Sequence, residues 1–73
     1  MSLRHMLPTA RRSAVRDALR ATLGNKTKAA EALGVSRRTL HTYLGTMGVT
    51  PEEISGWVAE ALVEAHARTL GAL

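Results

Sequence analysis

The chain has 73 residues, a mass of 7.8 kDa and no cysteine, so it makes one small domain without disulfides or thiolate metal sites. Hydrophobic residues are 45% but aromatics only 3%, namely Tyr43 and Trp57, which leaves Ala, Leu and Val to build the core. Ten Lys and Arg against six Asp and Glu give a net charge of +4, which favours an anionic partner such as nucleic acid or an anionic membrane.

That charge is unevenly divided. Residues 1–49 hold nine basic residues against two acidic ones, a net +7, while residues 50–73 hold Arg68 against four glutamates, a net −3. The two parts are expected to face different partners. No run approaches the roughly 18 apolar residues of a spanning helix, and the opening lacks the apolar region of a signal peptide, so the expected location is the cytoplasm. Residues 1–8 read as an N-terminal arm or vector-derived residues. A chain this short buries only about 60% of its unfolded surface, which makes a partner subunit the expected source of added stability.

The punctuation predicts four helices and no strand, an all-α domain. The first helix runs from about Thr9 to Leu23, with Val15, Ala18, Leu19, Thr22 and Leu23 on one apolar face. Arg12, Arg16 and Arg20 line its other side, as a solvated face or a phosphate-contacting flank. Gly24 ends this helix and Asn25 caps the next, Lys26 to Leu33, whose inward residues are Ala29, Ala30 and Leu33. Gly34 supplies a left-handed turn, Val35 plugs the core and Ser36 caps a third helix from Arg37 to about Met47.

Leu40, Tyr43, Leu44 and Met47 are expected on the buried side of that third helix, which leaves Arg37, Arg38, His41, Thr42 and Gly45 outward. Two arginines in a first turn oppose the helix dipole, which suggests that a partner selected them. Thr50, Pro51 and Glu53 form a capping box with proline at the first helical position. They open a fourth helix reaching about Leu70. Ile54, Val58, Ala61, Leu62 and Ala65 share one face there, Val63 and Leu70 widen it, and Glu53, Glu60 and Glu64 lie opposite. The arc is wider than one three-helix unit needs, so Ile54, Trp57, Val58, Leu62, Val63 and Leu70 are expected at an interface with a second copy of the chain.

The run from Gly24 to Leu40 combines Gly24-Asn25, the pair Ala29-Ala30, Leu33-Gly34-Val35, Ser36-Arg37 and Thr39-Leu40, followed by Leu44 and Gly48. It resembles the helix-turn-helix of the Fis family, shared by the Fis nucleoid protein and the nitrogen-regulation type activators. The resemblance covers about residues 10–49. It implies that 9–49 is a double-stranded DNA-binding unit whose third helix enters the major groove, with 50–73 left as a dimerisation element. On that correspondence Arg37 is the candidate for a bidentate guanine contact, and Ser36, Thr39 and His41 lie at or beside base edges. Asn25 and Thr27 match backbone-contacting positions, and Lys26, Lys28, Arg38 and Thr42 join them. The chain departs from the family in carrying Thr42, Tyr43 and Gly45 where Arg or Lys is usual.

His5, His41 and His66 are far apart in sequence and only one Asp is present, so no catalytic residue, metal, cofactor or small-molecule substrate is expected. His66 reads as an ordinary residue at the edge of the apolar arc. The expected function is DNA binding by a homodimeric, nucleoid-associated regulator or architectural protein without membrane attachment. A protein-interaction module using the acidic and apolar last helix is the alternative.

Overall fold

In a computed structural model, described for residues 5–71, the chain forms α1 (Pro8–Ala21), α2 (Lys26–Leu33), α3 (Arg37–Thr46) and α4 (Pro51–Gly71). The all-α expectation holds: among the described residues there is no strand. α1 packs on both α2 and α4, and α2 packs on α3, which makes α1 the central element. The expected first helix shifts toward the N-terminus by one residue at its start and two at its end.

The caps follow the sequence. Asn25 Oδ1 accepts from the Lys28 amide at 3.1 Å, Ser36 Oγ from the Thr39 amide at 3.0 Å, and Thr50 Oγ1 from the Glu53 amide at 3.2 Å. Each satisfies an amide that the following helix leaves without a carbonyl partner. The capping box is only half made, because the Glu53 carboxylate turns away to Arg12.

Three helix ends close with the same pair of backbone bonds, the Schellman arrangement. They are Gly24 to Leu19 with Leu23 to Arg20, Val35 to Ala30 with Gly34 to Glu31, and Val49 to Leu44 with Gly48 to Gly45, each amide donating to the earlier carbonyl. The left-handed residue is glycine at the second and third ends. At the first it is Leu23, with φ +53°. Gly24 was expected in that role but stands one residue later, itself at φ +84°, and a Cβ there would lie 3.2 Å from Val58 Cγ2, so both its backbone and its neighbour on α4 call for glycine. Leu23, expected on the apolar face of the first helix, is instead 53% exposed.

The buried core consists of Val15 and Leu19 from α1, Ala29 and Ala30 from α2, Leu40 and Leu44 from α3, and Val49 from the segment after it. The alanines leave room for α1 and α3 to approach, and the larger residues fill the centre. Burying each of Val15, Leu19 and Leu40 fully contributes about 1.5–3 kcal/mol. No described side chain of α4 is fully buried; Ile54 and Trp57 are half-buried against this core.

Polar contacts join these apolar ones in orienting α4 on α1. The Arg12 guanidinium donates to the Met47 carbonyl at 3.3 Å, pairs with Glu53 and lies 6.0 Å from the centre of the Trp57 ring. Arg20 pairs with Glu60 at 2.8 Å and also with Glu64. The hydrogen bond between Arg20 and Glu64 raises the guanidinium above its ordinary value and lowers the carboxyl below its own. Arg16 stays on its own helix, near Asp17 at 3.4 Å and Ser13 Oγ at 3.2 Å.

Two expectations are corrected here. The Arg12, Arg16, Arg20 row is not a single outward face, because its first and third members hold α4 while Arg16 stays exposed. The acidic part of the chain is not given over to an outside partner as a whole either, because three of its four glutamates are turned onto the basic α1. That rotation decides which part of the wide apolar arc packs: Ile54, Trp57, Val58 and Ala61 are half-buried, while Leu62, Val63 and Ala65 are exposed.

Candidate nucleic-acid interface

The two tight turns that frame α2 set its first turn beside the first turns of α3. Lys26, Arg37, Arg38 and His41 together line a shallow hollow of about 420 Å³. Lys26 precedes Arg37, Arg38 and His41 by a whole helix in sequence. The hollow exists because Gly34 reverses the chain between α2 and α3.

Among the described residues, Lys26, Lys28, Arg37 and Arg38 make no ion pair. Arg37, Arg38, His41 and Lys28 are exposed and Lys26 is half-exposed. With Glu31 the one acid between residues 25 and 42, this stretch carries a net +3 from four cations and one anion. Nothing within the fold neutralises it. A polyanion approaching this surface meets charges that need not first be released from an internal partner.

The hydroxyls expected to read bases are partly engaged. Ser36 Oγ accepts the Thr39 amide and donates to Thr39 Oγ1 at 2.9 Å, so the two side chains form one capping unit. Each retains exposure, and Thr39 Oγ1 retains a proton to donate outward. Thr42 Oγ1 donates to the Arg38 carbonyl at 3.1 Å, leaving only acceptor capacity toward a ligand, a poor match to a phosphate. Asn25, expected at the DNA backbone, holds the Lys28 amide with its side-chain oxygen. Its side-chain amide group remains available, as does the exposed Thr27.

One feature of the surface was not foreseen from sequence. Beyond Lys26 and His41 the basic hollow runs into a second, smaller one of about 140 Å³, lined also by Leu44, Gly45, Val49, Pro51 and Ile54. Gly45 has nothing within 4 Å of where a Cβ would stand, so the outward face of α3 is open there. The signal was present, since glycine falls on the outward stripe. Its meaning depends on α4 starting alongside. Tyr43, another departure from the basic residues usual in the family, is half-buried with Arg11 5.0 Å above its ring.

The residues expected at a subunit interface separate into two groups. Ile54 and Trp57 pack on their own chain's core, and Val58 faces Gly24. Leu62 and Val63 are 52% and 68% exposed. The Leu70 side chain lies outside the described residues, as do residues 1–4 of the expected N-terminal arm. Among the described residues, no three His, Cys, Asp or Glu side chains are grouped to hold a metal, and no helix is long and apolar enough to cross a membrane.

Comparison with known proteins agrees with this geometry. Residues 12–42 match the family model of bacterial regulatory proteins of the Fis family, which spans most of α1, all of α2, the turn and the first half of α3. The resemblance carried by Gly24 to Leu40 is thus borne out over residues 12–42, a segment similar to the Fis-type helix-turn-helix. No curated protein and no solved structure matches the chain.

Proposed function

We propose that this Fis-type helix-turn-helix binds double-stranded DNA with sequence preference, as a homodimer, in the role of a transcription regulator or DNA-architectural protein of the bacterial nucleoid. The observation that carries the reading is the unpaired state of Lys26, Arg37 and Arg38 around one hollow, with Lys28 of the same helix as Lys26 also unpaired, beside a fold that pairs Arg12 and Arg20 of α1. The N-terminal half of α3 enters the major groove. Arg37 forks onto guanine, with Ser36, Thr39 and His41 at neighbouring base edges. Lys26, Lys28 and Arg38 meet phosphates on either side, and Asn25, Thr27 and Thr42 border the backbone. Leu62 and Val63 on the outer face of α4 supply the contact between subunits. The alternative of an acidic interaction helix loses its acidic half, because Glu53, Glu60 and Glu64 are engaged with Arg12 and Arg20.

A duplex-binding titration against salt tests this. Three phosphate-contacting cations per protomer predict a slope of log affinity on log salt of roughly −3 for each protomer bound, at about −0.9 per contact. Arg37→Ala should weaken binding to a preferred site by about 10- to 100-fold and flatten the preference. An affinity indifferent to both salt and Arg37→Ala would overturn the reading.

A further inference from the structure

The outer face of α4 is unpartnered, and its residues are arranged so that one occupant fits it residue by residue. With the three glutamates turned onto α1, the side of α4 away from the domain presents Glu52, Ser55, Gly56, Ala59, Leu62, Val63 and His66, all exposed. Two interleaved series, Glu52-Ser55-Ala59-Leu62-His66 and Glu52-Gly56-Ala59-Val63-His66, each step by three and four, the spacing of a helix-pairing seam. Leu62 and Val63, at 52% and 68% exposure, are two of the four large hydrophobic residues the described surface leaves open. Gly56 has no atom near its missing Cβ.

The order along the seam is what selects the partner. Reflected about Ala59, the series pairs opposites: Gly56 falls against Leu62, Ser55 against Val63, and Glu52 against His66. Small residues meet large ones, and an acid meets a base. In a parallel pairing every residue would meet its like, Glu52 against Glu52 and Gly56 against Gly56, leaving a gap at one level and repulsion at another. Glu60 and Glu64, which would otherwise crowd the seam with negative charge, are held by Arg20.

The geometry points to an antiparallel pairing of α4 with α4 of a second copy, on a two-fold axis through Ala59. Such an interface is self-complementary, each residue contacting the partner's counterpart in reverse, and small residues at the axis let the backbones approach. This specifies the homodimer of the reading above and rests on it. The seam is short, so the dimer is a weak one with a Kd of about 10 µM.

The absence of cysteine from the chain makes single-cysteine cross-linking in the full-length protein a clean test. Ala59→Cys should form a disulfide-linked dimer with itself under mild oxidation. Gly56→Cys should not, yet it should link to Leu62→Cys when the two variants are mixed. Ala59→Glu, checked by circular dichroism to be folded, should shift sedimentation at 100 µM from dimer to monomer. Self-linking of Gly56→Cys, or a dimer that survives Ala59→Glu, overturns the antiparallel pairing while leaving a homodimer in place. A wild-type monomer at 100 µM overturns both. Because no DNA is present, none of these outcomes turns on the DNA-binding reading.

Discussion

Two sets of basic residues lie on this small domain, and the fold treats them oppositely. On α1, Arg12 and Arg20 are bound into contacts with Glu53, Glu60, Glu64, the Met47 carbonyl and the Trp57 ring. On α2 and α3, Lys26, Lys28, Arg37 and Arg38 are left without an internal counterion. Residue type does not distinguish the sets. What distinguishes them is whether α4 passes by. The lesson is that a net charge of +4 overstates how much of the surface can serve a polyanion and understates how concentrated that part is.

The sharpest way to break the comparison is to exchange the expected losses. Replacing both Arg37 and Arg38 by Ala should cost DNA affinity about 100-fold, through a lost base contact and a lost phosphate contact. The melting temperature should stay within about 2 °C, since neither side chain has a partner in the fold. Loss of stability comparable to the loss of binding would show that the HTH cations are structural after all.

Arg12→Ala should do the reverse. It removes an ion pair whose side chains are 43% and 38% exposed, worth little after screening, together with a carbonyl hydrogen bond and a cation–π contact. The sum is about 1 kcal/mol, or a fall in melting temperature of about 4–8 °C for a domain of this size. Duplex affinity should remain within twofold.

Leu23→Gly touches neither surface and calibrates the stability axis. Relieving the left-handed conformation of a non-glycine residue returns roughly 1–2 kcal/mol, offset by the greater freedom of glycine in the unfolded chain. The net expectation is a gain of about 0.5–1 kcal/mol in denaturant unfolding, with unchanged duplex binding.

The smallest effect is acid sensitivity. Glu64 has a folded-state value depressed by its hydrogen bond to Arg20. Its contribution is therefore complete above the ordinary glutamate value and fades as pH falls through the lowered one. Trp57 fluorescence should report α4 loosening at that acidic end. Glu64→Gln should abolish this component, and its persistence in that variant would place the titration elsewhere.

Much of the fold was legible because it rests on local signals. Asn25, Ser36 and Thr50 cap as their side chains dictate, and Gly34 turns the chain where glycine alone is unstrained. The helix-turn-helix surface was legible for the same reason, since Arg37, Arg38 and His41 fall on the outward stripe of a helix whose inward residues are plain. Two matters were not. Leu23-Gly24 and Leu33-Gly34 are the same dipeptide, yet both residues of the first take a positive φ and only the glycine of the second does, with Val58, 34 residues after Gly24, packed against the first. The rotation of α4 was hidden too: its apolar arc is broad enough to allow several orientations, and the arginines that choose among them lie 40 or more residues away. Periodicity reports which residues are alike, not which distant charges they will meet.

The confinement of the core to residues 15–49 has a consequence for how the molecule opens. A helix attached without a fully buried side chain can detach while the rest stays closed, so amide protons of α4 should exchange with solvent at a lower opening free energy than those around Leu19 and Leu40. The domain would then unfold in two steps, its outer helix first and its helix-turn-helix last.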